Sequence, residues 1–179
     1  VLYWSQMNRR VDANHALQWA IQRANELRVP VLFYEGLTCT YPHANDRLHT
    51  FILEGVPETA KRLAQRGIGY CFYLRRRKTD ANDILYRLAA RAACVVTDDY
   101  PTFIAAGHNS SVPDKLRIAC EAVDSSCIVP MSVLAKREYA AYTIRPKIKK
   151  LLPQHLTPCP DADPAVRWSA PPPEHHVEV

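Results

Sequence analysis

Glycine is scarce in this sequence, with five residues among 179. A glycine-rich phosphate loop is therefore not expected, and neither a G-x-G-x-x-G nor a G-x-x-x-x-G-K motif is present. No apolar run approaches the roughly 20 residues of a membrane span. The sequence thus gives no support to a dinucleotide fingerprint, a P-loop or a membrane-spanning segment as the basis of function.

The six cysteines lack the spacing of a metal site. No two form a C-x-x-C pair, and no histidine lies at finger spacing from any of them, so no metal ligands are assigned. No secretory signal precedes the chain, and most of the cysteines lie in or beside apolar segments, as small buried hydrophobes do. We expect a reduced, cytoplasmic protein.

Composition predicts one globular domain with an extended tail. Hydrophobic residues make up 47% and charged residues 23% of the chain, and the formal net charge of +5 permits an anionic partner without requiring one. Seven of the fourteen prolines lie after position 150. The sequence therefore predicts an α/β domain at residues 1–156 and a Pro-rich tail or linker at 157–179 that is extended rather than packed.

Short apolar runs alternate with amphipathic segments along the chain. Strands are predicted at Val1–Ser5, Val29–Tyr34, Ile68–Leu74, Cys94–Thr97 and Ser126–Met131. Helices are predicted at Asp12–Leu27 (with Asp12 as N-cap), Asn45–Gln65, Asn82–Ala93 and Pro113–Val123. Basic, partly helical segments follow at Ala135–Tyr142 and Ile144–Leu152, with Pro153 ending the second. Apolar strands separated by amphipathic helices predict an α/β fold, a doubly wound five-stranded parallel sheet with helices on both faces.

Ligands of such sheets bind beyond the carboxyl ends of the strands, at the topological switch point. This rule selects three rim segments, Trp4–Arg10, Glu35–Tyr41 and Thr97–Phe103. Within and beside them, the candidate ligand-contact residues are Ser5, Met7, Arg10, Asn14, Glu35 and Asp98. No catalytic residue is assigned, because the sequence shows no Ser/His/Asp order, no Cys/His pair and no convergent acid–base set.

Structural roles compete with ligand binding at these positions. Arg10 could attract an anion at a helix N-terminus or could fix the turn before the first helix. Asn14 could bind a ligand or tie down its own loop, and Asp98 could bind a ribose or cap the next segment. Trp4 could stack on a chromophore or belong to the core. The basic run at residues 75–78 could follow a phosphate backbone or form a solvated edge.

Two stretches of the sequence, one near each end of the predicted domain, are similar to segments of a known protein family. The first joins Tyr3-Trp4 to Arg10-Val11 and Asn14. The second comprises Ile128-Val129-Pro130, Glu138-Tyr139, Thr143-Ile144-Arg145, Lys147-Ile148 and Leu151-Leu152-Pro153. Together they resemble the two ends of the N-terminal domain of the photolyase/cryptochrome family, with the closest similarity to class II cyclobutane-pyrimidine-dimer photolyases.

The resemblance implies a Rossmann-like antenna domain that binds a light-harvesting folate or deazaflavin. In the family, the FAD and the lesion pocket belong to a larger helical domain, and this sequence stops where that domain would start. The chain alone is therefore expected to hold no FAD and to be no enzyme. Met7 and Asn8 stand where the family carries an Arg and an Asp, and Phe103 and Ile104 follow where another Arg is frequent. These departures predict weaker antenna binding.

Partners are predicted from the face that the helical domain would cover. We expect a homodimer or a partner protein at Phe103, Ile104 and Val133–Tyr142. DNA binding by this chain alone is expected to be weak or absent. Two alternatives remain open, a small-molecule or nucleotide-binding enzyme on a related α/β scaffold and a ligand-free domain that acts through protein contacts. An absorption band of the purified chain beyond that of the protein itself would favour a bound chromophore over these alternatives.

Overall fold

A computed structural model describes all residues, 1–179. Its centre is a five-stranded, all-parallel sheet in the order β3-β2-β1-β4-β5. The strands are β1 Leu2–Ser5, β2 Leu32–Thr38, β3 Gly69–Arg75, β4 Cys94–Asp98 and β5 Ala119–Val123. The helices are α1 His15–Leu27, α2 Asp46–Gln65, α3 Ile84–Ala89, α4 Phe103–Ser111 and α5 Ala141–His155, with 3₁₀ turns at Pro113–Lys115 and Met131–Val133.

Helices cover both faces of the sheet, because the strands are apolar on both sides. On one face Tyr3 and Phe33 pack edge-to-face, with ring centroids 4.9 Å apart, beneath α1 and α2. On the other face Trp4, Tyr34 and Ile84 belong to a second apolar cluster that α3 covers. The predicted fold class, a doubly wound parallel sheet with helices on both faces, is confirmed.

The last strand lies where a helix was predicted. Residues Pro113–Val123 form only a short 3₁₀ turn and then β5, which pairs in parallel with β4 from Cys94↔Ala119 to Asp98↔Val123. Ser126–Met131, predicted as the last strand, is a loop. It is held by Asp124, whose carboxylate accepts the backbone N–H groups of Ser126 and Cys127 at 2.9 Å. The fourth helix is α4, over residues for which no helix was predicted.

Several predicted boundaries also differ. The N-cap of α1 is Asn14 rather than Asp12, since the Asn14 side chain accepts the Leu17 N–H at 3.1 Å. β2 begins three residues later than predicted and continues to Thr38, and α3 is shorter than the predicted helix. Pro153 does not end the last helix, which continues to His155. None of the helices combines the length and the apolar character that crossing a bilayer requires.

The Pro-rich tail has no helix or strand, yet it packs on the domain, contrary to expectation. Its backbone lies along the outer edge of β3, where the Val177 N–H donates to Phe72 O at 2.8 Å and His176 Nδ1 accepts the Phe72 N–H at 3.0 Å. Trp168 sits so close to Gly69 that a Cβ there would lie 2.4 Å from the indole. The tail therefore covers an edge strand whose backbone would otherwise be unpaired.

Candidate functional site

The loop that follows β1 is organised by Asp98, at the end of β4. Asp98 is fully buried, and its Oδ2 accepts the backbone N–H groups of Gln6, Met7 and Asn8 at 3.0, 2.7 and 2.9 Å. Its Oδ1 accepts the Tyr3 hydroxyl at 2.7 Å. Burial, followed by the Asp98 charge, raises the pKa of Tyr3 well above its usual value, so this phenol stays a proton donor. The carboxylate is thus directed into the protein.

Asn14 is a second fully buried polar group in this region. Its amide nitrogen donates to the Tyr3 hydroxyl and to Arg10 O, both at 3.0 Å. Its amide oxygen caps α1 and accepts the Ser125 hydroxyl at 3.2 Å. Every polar atom of the side chain is therefore occupied within the protein.

Arg10 joins two loops that follow the carboxyl ends of strands. Its guanidinium donates to Ser125 O, to Asn8 Oδ1 at 2.8 Å and to Ala13 O at 3.0 Å. Arg10 therefore ties the loop after β1 to the segment after β5. It does not line the cavity that opens at the carboxyl edge of the sheet, whereas its neighbour Arg9 does.

Glu35 is buried on the α1/α2 face of β2. Arg9 Nη1 lies 3.2 Å from Glu35 Oε2, and the Tyr70 hydroxyl donates to Glu35 Oε1. The facing atoms of Arg9 and Glu35 are buried but lack a hydrogen-bond partner in suitable geometry. Burial, together with the Glu35 charge, raises the pKa of Tyr70. The Arg9 charge is thus partly neutralised from within the protein.

A cavity of about 270 Å³ opens at the carboxyl ends of β1 and β2, between α2 and α4, and we call it the β1–α4 cavity. Nine of its fifteen lining residues are hydrophobic. Of the six residues selected from the sequence, Ser5 and Met7 line it. Arg10, Asn14 and Asp98 hold the loop after β1 through hydrogen bonds, and Glu35 contacts Arg9 without lining the cavity. Ligand contact at these six positions stays a prediction.

Sequence reasoning missed a polar group beside the cavity. The ring centroids of His108, in α4, and Trp4 lie 5.4 Å apart, and His108 Nδ1 lies 2.8 Å from Gln6 Oε1. The Gln6 amide nitrogen donates to Thr97 and Asn109, both at 2.9 Å. Burial lowers the pKa of His108, which favours the neutral imidazole. Only the helical structure of α4 brings this histidine to Trp4, and the sequence analysis predicted no helix there.

Sequence comparisons with known proteins match most of the chain to one family. A family model described as DNA photolyase matches residues 1–165. The chain is 35% identical over 159 residues to a deoxyribodipyrimidine photo-lyase of Methanothermobacter thermautotrophicus, an alignment covering 88% of this chain and 35% of that protein. It is 30% identical over 169 residues to a deoxyribodipyrimidine photo-lyase of Arabidopsis thaliana, covering 92% and 33%.

The chain spans about a third of the length of these relatives. Among solved structures, a universal stress protein from Archaeoglobus fulgidus is 14% identical, with a TM-score of 0.47, and aligns over 69% of this chain and 97% of that chain. The similarity to class II enzymes in particular stays a prediction. The match through residues 1–165 and the identity to two photo-lyases show that this chain belongs to the DNA photolyase family.

Proposed function

We propose that this chain is the non-catalytic α/β domain of a DNA-photolyase-related protein and that it binds a planar aromatic chromophore in the β1–α4 cavity. The observation that carries the proposal is this largely apolar cavity at the carboxyl edge of the parallel sheet, where ligands of such folds bind. A folate or deazaflavin ring is the chromophore class that the family suggests. When bound, it would supply absorption of light beyond the range of the protein's own aromatic residues.

The cavity walls suit a flat ring. Trp4, at the end of β1, and Ile104, in the first turn of α4, stand on the walls, and Met7 forms part of the mouth. Methionine and aromatic side chains bind rings through dispersion and burial, without demanding one orientation. Apolar burial would therefore supply most of the affinity.

The cavity walls suit an anionic substituent of the chromophore less well. Arg9 is the cation on the cavity wall, and its guanidinium already faces the Glu35 carboxylate at 3.2 Å. An anionic group of the ligand that binds Arg9 would also lie near the Glu35 carboxylate. Their repulsion would reduce the free energy gained from the contact with Arg9. Met7 and Asn8 add no charge at the mouth. We therefore expect a chromophore to be held weakly and to be lost on purification.

The engagement of several polar residues at the sheet edge supports a non-catalytic role. Three groups that could have transferred a proton or bound a substrate, the buried Asp98 and Asn14 and the exposed Arg10, are engaged in holding the loop after β1. A general acid or base needs an atom within reach of a substrate. The alternative of a small-molecule enzyme on a related scaffold therefore has less support from the site.

Riboflavin, an uncharged ring probe, tests the chromophore proposal. We expect saturable quenching of riboflavin fluorescence by the purified chain. Met7→Ala should weaken binding about fivefold, since Met7 is 39% exposed and would lose about 1 kcal/mol of apolar burial. The control is Met131→Ala, because Met131 is similarly exposed, at 47%, and lies outside the cavity. Equal affinities for the two variants, or no quenching, would contradict the proposal.

We also propose that the chain meets another protein surface through Phe103 and the Val133–Tyr142 segment. Phe103 is 52% exposed, while Tyr139 and Tyr142 are 80% and 68% exposed. Exposed aromatic groups of this size are frequent at interfaces. In the purified protein the available surface is a second copy of the chain. Sedimentation should show a dimer that Phe103→Ser weakens, and a monomer at high concentration would contradict this proposal.

A further inference from the structure

The two outer edges of the sheet are not alike. At the β3 edge the tail occupies the backbone of Phe72, since the Val177 N–H donates to Phe72 O at 2.8 Å and His176 Nδ1 accepts the Phe72 N–H at 3.0 Å. At the opposite edge, β5 pairs with β4 on one side, and no other stretch of backbone bonds to its outer side. Each chain therefore has one open sheet edge.

Strand alternation identifies the free backbone groups of β5. Val123 O accepts the Asp99 N–H at 2.9 Å, so the backbone groups of Val123 face β4. Successive residues of a strand direct their N–H and C=O groups to opposite edges, so those of Cys120 and Ala122 face away from the sheet. The edge thus offers two donors and two acceptors in a row, which is the pattern that pairs with another strand.

The side chains of β5 leave this edge accessible. Ala119 and Ala122 are small and exposed. Glu121 is the one charged residue of the strand, and Arg23 holds its carboxylate at 2.7 Å while the Trp19 indole N–H also donates to it. No lysine or proline lies in β5, and its register with β4 is continuous. The devices that usually protect an edge strand are therefore absent from β5.

A second copy of the chain fits this edge. Two identical edges can meet antiparallel about a two-fold axis, which places the same groups of both strands opposite one another. With the axis beside Glu121, Cys120 of each copy pairs with Ala122 of the other, and four hydrogen bonds form. Arg23 already neutralises each of the two Glu121 carboxylates that meet at the axis. Because the tail closes the β3 edge, association stops at two copies.

The β5 edge continues into the surface proposed above for a partner. Asp124, the residue after β5, accepts the Met131 N–H at 3.3 Å, which holds the start of the Val133–Tyr142 segment beside the end of β5. Val133 and Ile128 are exposed there. In an antiparallel pair the carboxyl end of one strand lies beside the amino end of the other. These apolar side chains would therefore pack against the residues that precede β5 in the second copy.

We propose that two copies of the chain pair antiparallel through the outer edges of β5, so that two five-stranded sheets become one continuous sheet. This pairing rests on the proposed contact between protein surfaces and specifies where that contact is centred. Main-chain hydrogen bonds set its register, and Val133 and Ile128 add apolar area at each end of the paired strands.

Hydrogen exchange followed by NMR reads the edge of the full 179-residue chain directly. In a monomer the Cys120 and Ala122 N–H groups face water and exchange fast, whereas the Glu121 N–H faces β4 and is protected. When the concentration is raised from about 20 μM to about 1 mM, protection at Cys120 and Ala122 should rise together with the dimer fraction in sedimentation. Protection at Glu121 should stay constant. This comparison uses the unchanged chain, so it holds even if a variant disturbs folding.

Two substitutions at one exposed position form a matched pair. Ala122→Pro removes an outward N–H, and Ala122→Val keeps it in a side chain of similar size. Ala122→Pro should weaken dimerisation about thirtyfold, because two of the four hydrogen bonds are lost. Ala122→Val should dimerise at least as tightly as the unchanged chain, because β-branched residues favour strands.

The outcomes separate this pairing from the contact through Phe103. Equal dimerisation of the two Ala122 variants, or a dimer in which Cys120 and Ala122 exchange as fast as in the monomer, would overturn the edge pairing and leave the Phe103 contact standing. A monomer at about 1 mM would overturn both. If Ala122→Pro weakens the dimer and Phe103→Ser does not, the edge pairing is supported and the Phe103 contact fails.

Discussion

Replacing Asp98 by alanine removes the acceptor around which the loop after β1 is folded. Three backbone N–H groups and the Tyr3 hydroxyl would lose their partner, with present distances of 2.7 to 3.0 Å. Each buried donor left unpaired costs about 1–3 kcal/mol. Met7 is 39% exposed, so water can reach part of this loop and reduce the loss. We expect Asp98→Ala to lower the free energy of unfolding by about 4 kcal/mol, a large part of the roughly 5–15 kcal/mol typical of a domain.

Asp98→Asn is the gentler test. The amide oxygen can still accept the three N–H groups, and the amide nitrogen can donate to the Tyr3 oxygen, so the losses are the charge of the acceptor and the acceptor of the Tyr3 O–H. Hydrogen bonds to a charged group are about twice as strong as neutral ones, which places the expected loss near 2 kcal/mol. Asp99→Asn is the control, since Asp99 contributes its backbone N–H, which donates to Val123 O at 2.9 Å.

Urea unfolding followed by tryptophan fluorescence measures these changes. With a urea dependence of about 2 kcal/mol per molar, Asp98→Ala should lower the midpoint by about 2 M and Asp98→Asn by about 1 M. The Asp99→Asn midpoint should stay at that of the unchanged protein. If Asp98→Ala and Asp99→Asn unfold at the same urea concentration, Asp98 does not organise the loop and the reasoning is refuted.

Three further predictions concern pH and activity. Burial raises the pKa of the Cys71 thiol from its ordinary 9.0 to about 12, so the thiol loses its proton at lower pH in the unfolded chain than in the folded one. The free energy of unfolding should therefore fall as the pH rises from 9 to 12. In the Cys71→Ala variant this fall should be less steep. Burial lowers the pKa of His176, which accepts the Phe72 N–H through Nδ1. That contribution is present above pH 6.5 and lost below it, so the protection of the Phe72 N–H from hydrogen exchange, relative to the intrinsic exchange rate at each pH, should fall in acid. Unchanged protection would contradict the contact. The isolated chain with added FAD should not repair pyrimidine dimers under blue light, and measurable repair would contradict the non-catalytic assignment.

The mispredicted last strand shows where local sequence stops being informative. Ala119, Glu121 and Ala122 are residues that strands usually disfavour, and Pro113 is a frequent first residue of helices, so the pattern favours a helix over Pro113–Val123. In the structure Pro113 starts only a 3₁₀ turn, and pairing with β4 makes the rest a strand. The first four strands can be predicted from local sequence alone, because their apolar runs already indicate burial on both faces of the sheet.

The sequence predicts where the candidate site lies on the sheet but not how its individual side chains are oriented. The carboxyl edge of the sheet follows from the alternation of strands and helices, and Ser5 and Met7 do line a cavity there. The same rule cannot tell that Asp98 and Asn14 point into the protein, because a polar residue at a strand end or at a helix N-cap can face either the solvent or the interior. Their partners, Tyr3 and Ser125, come from distant parts of the chain.

A crystal structure of the chain grown with riboflavin tests the proposed chromophore site most directly. We predict density for one ring in the β1–α4 cavity, against Trp4 and Ile104 and with Met7 at its edge. The Asp98-centred loop should be unchanged, because Asp98 makes its contacts within the protein. A ring bound elsewhere, or an empty β1–α4 cavity at riboflavin concentrations that saturate the fluorescence titration, would contradict the account.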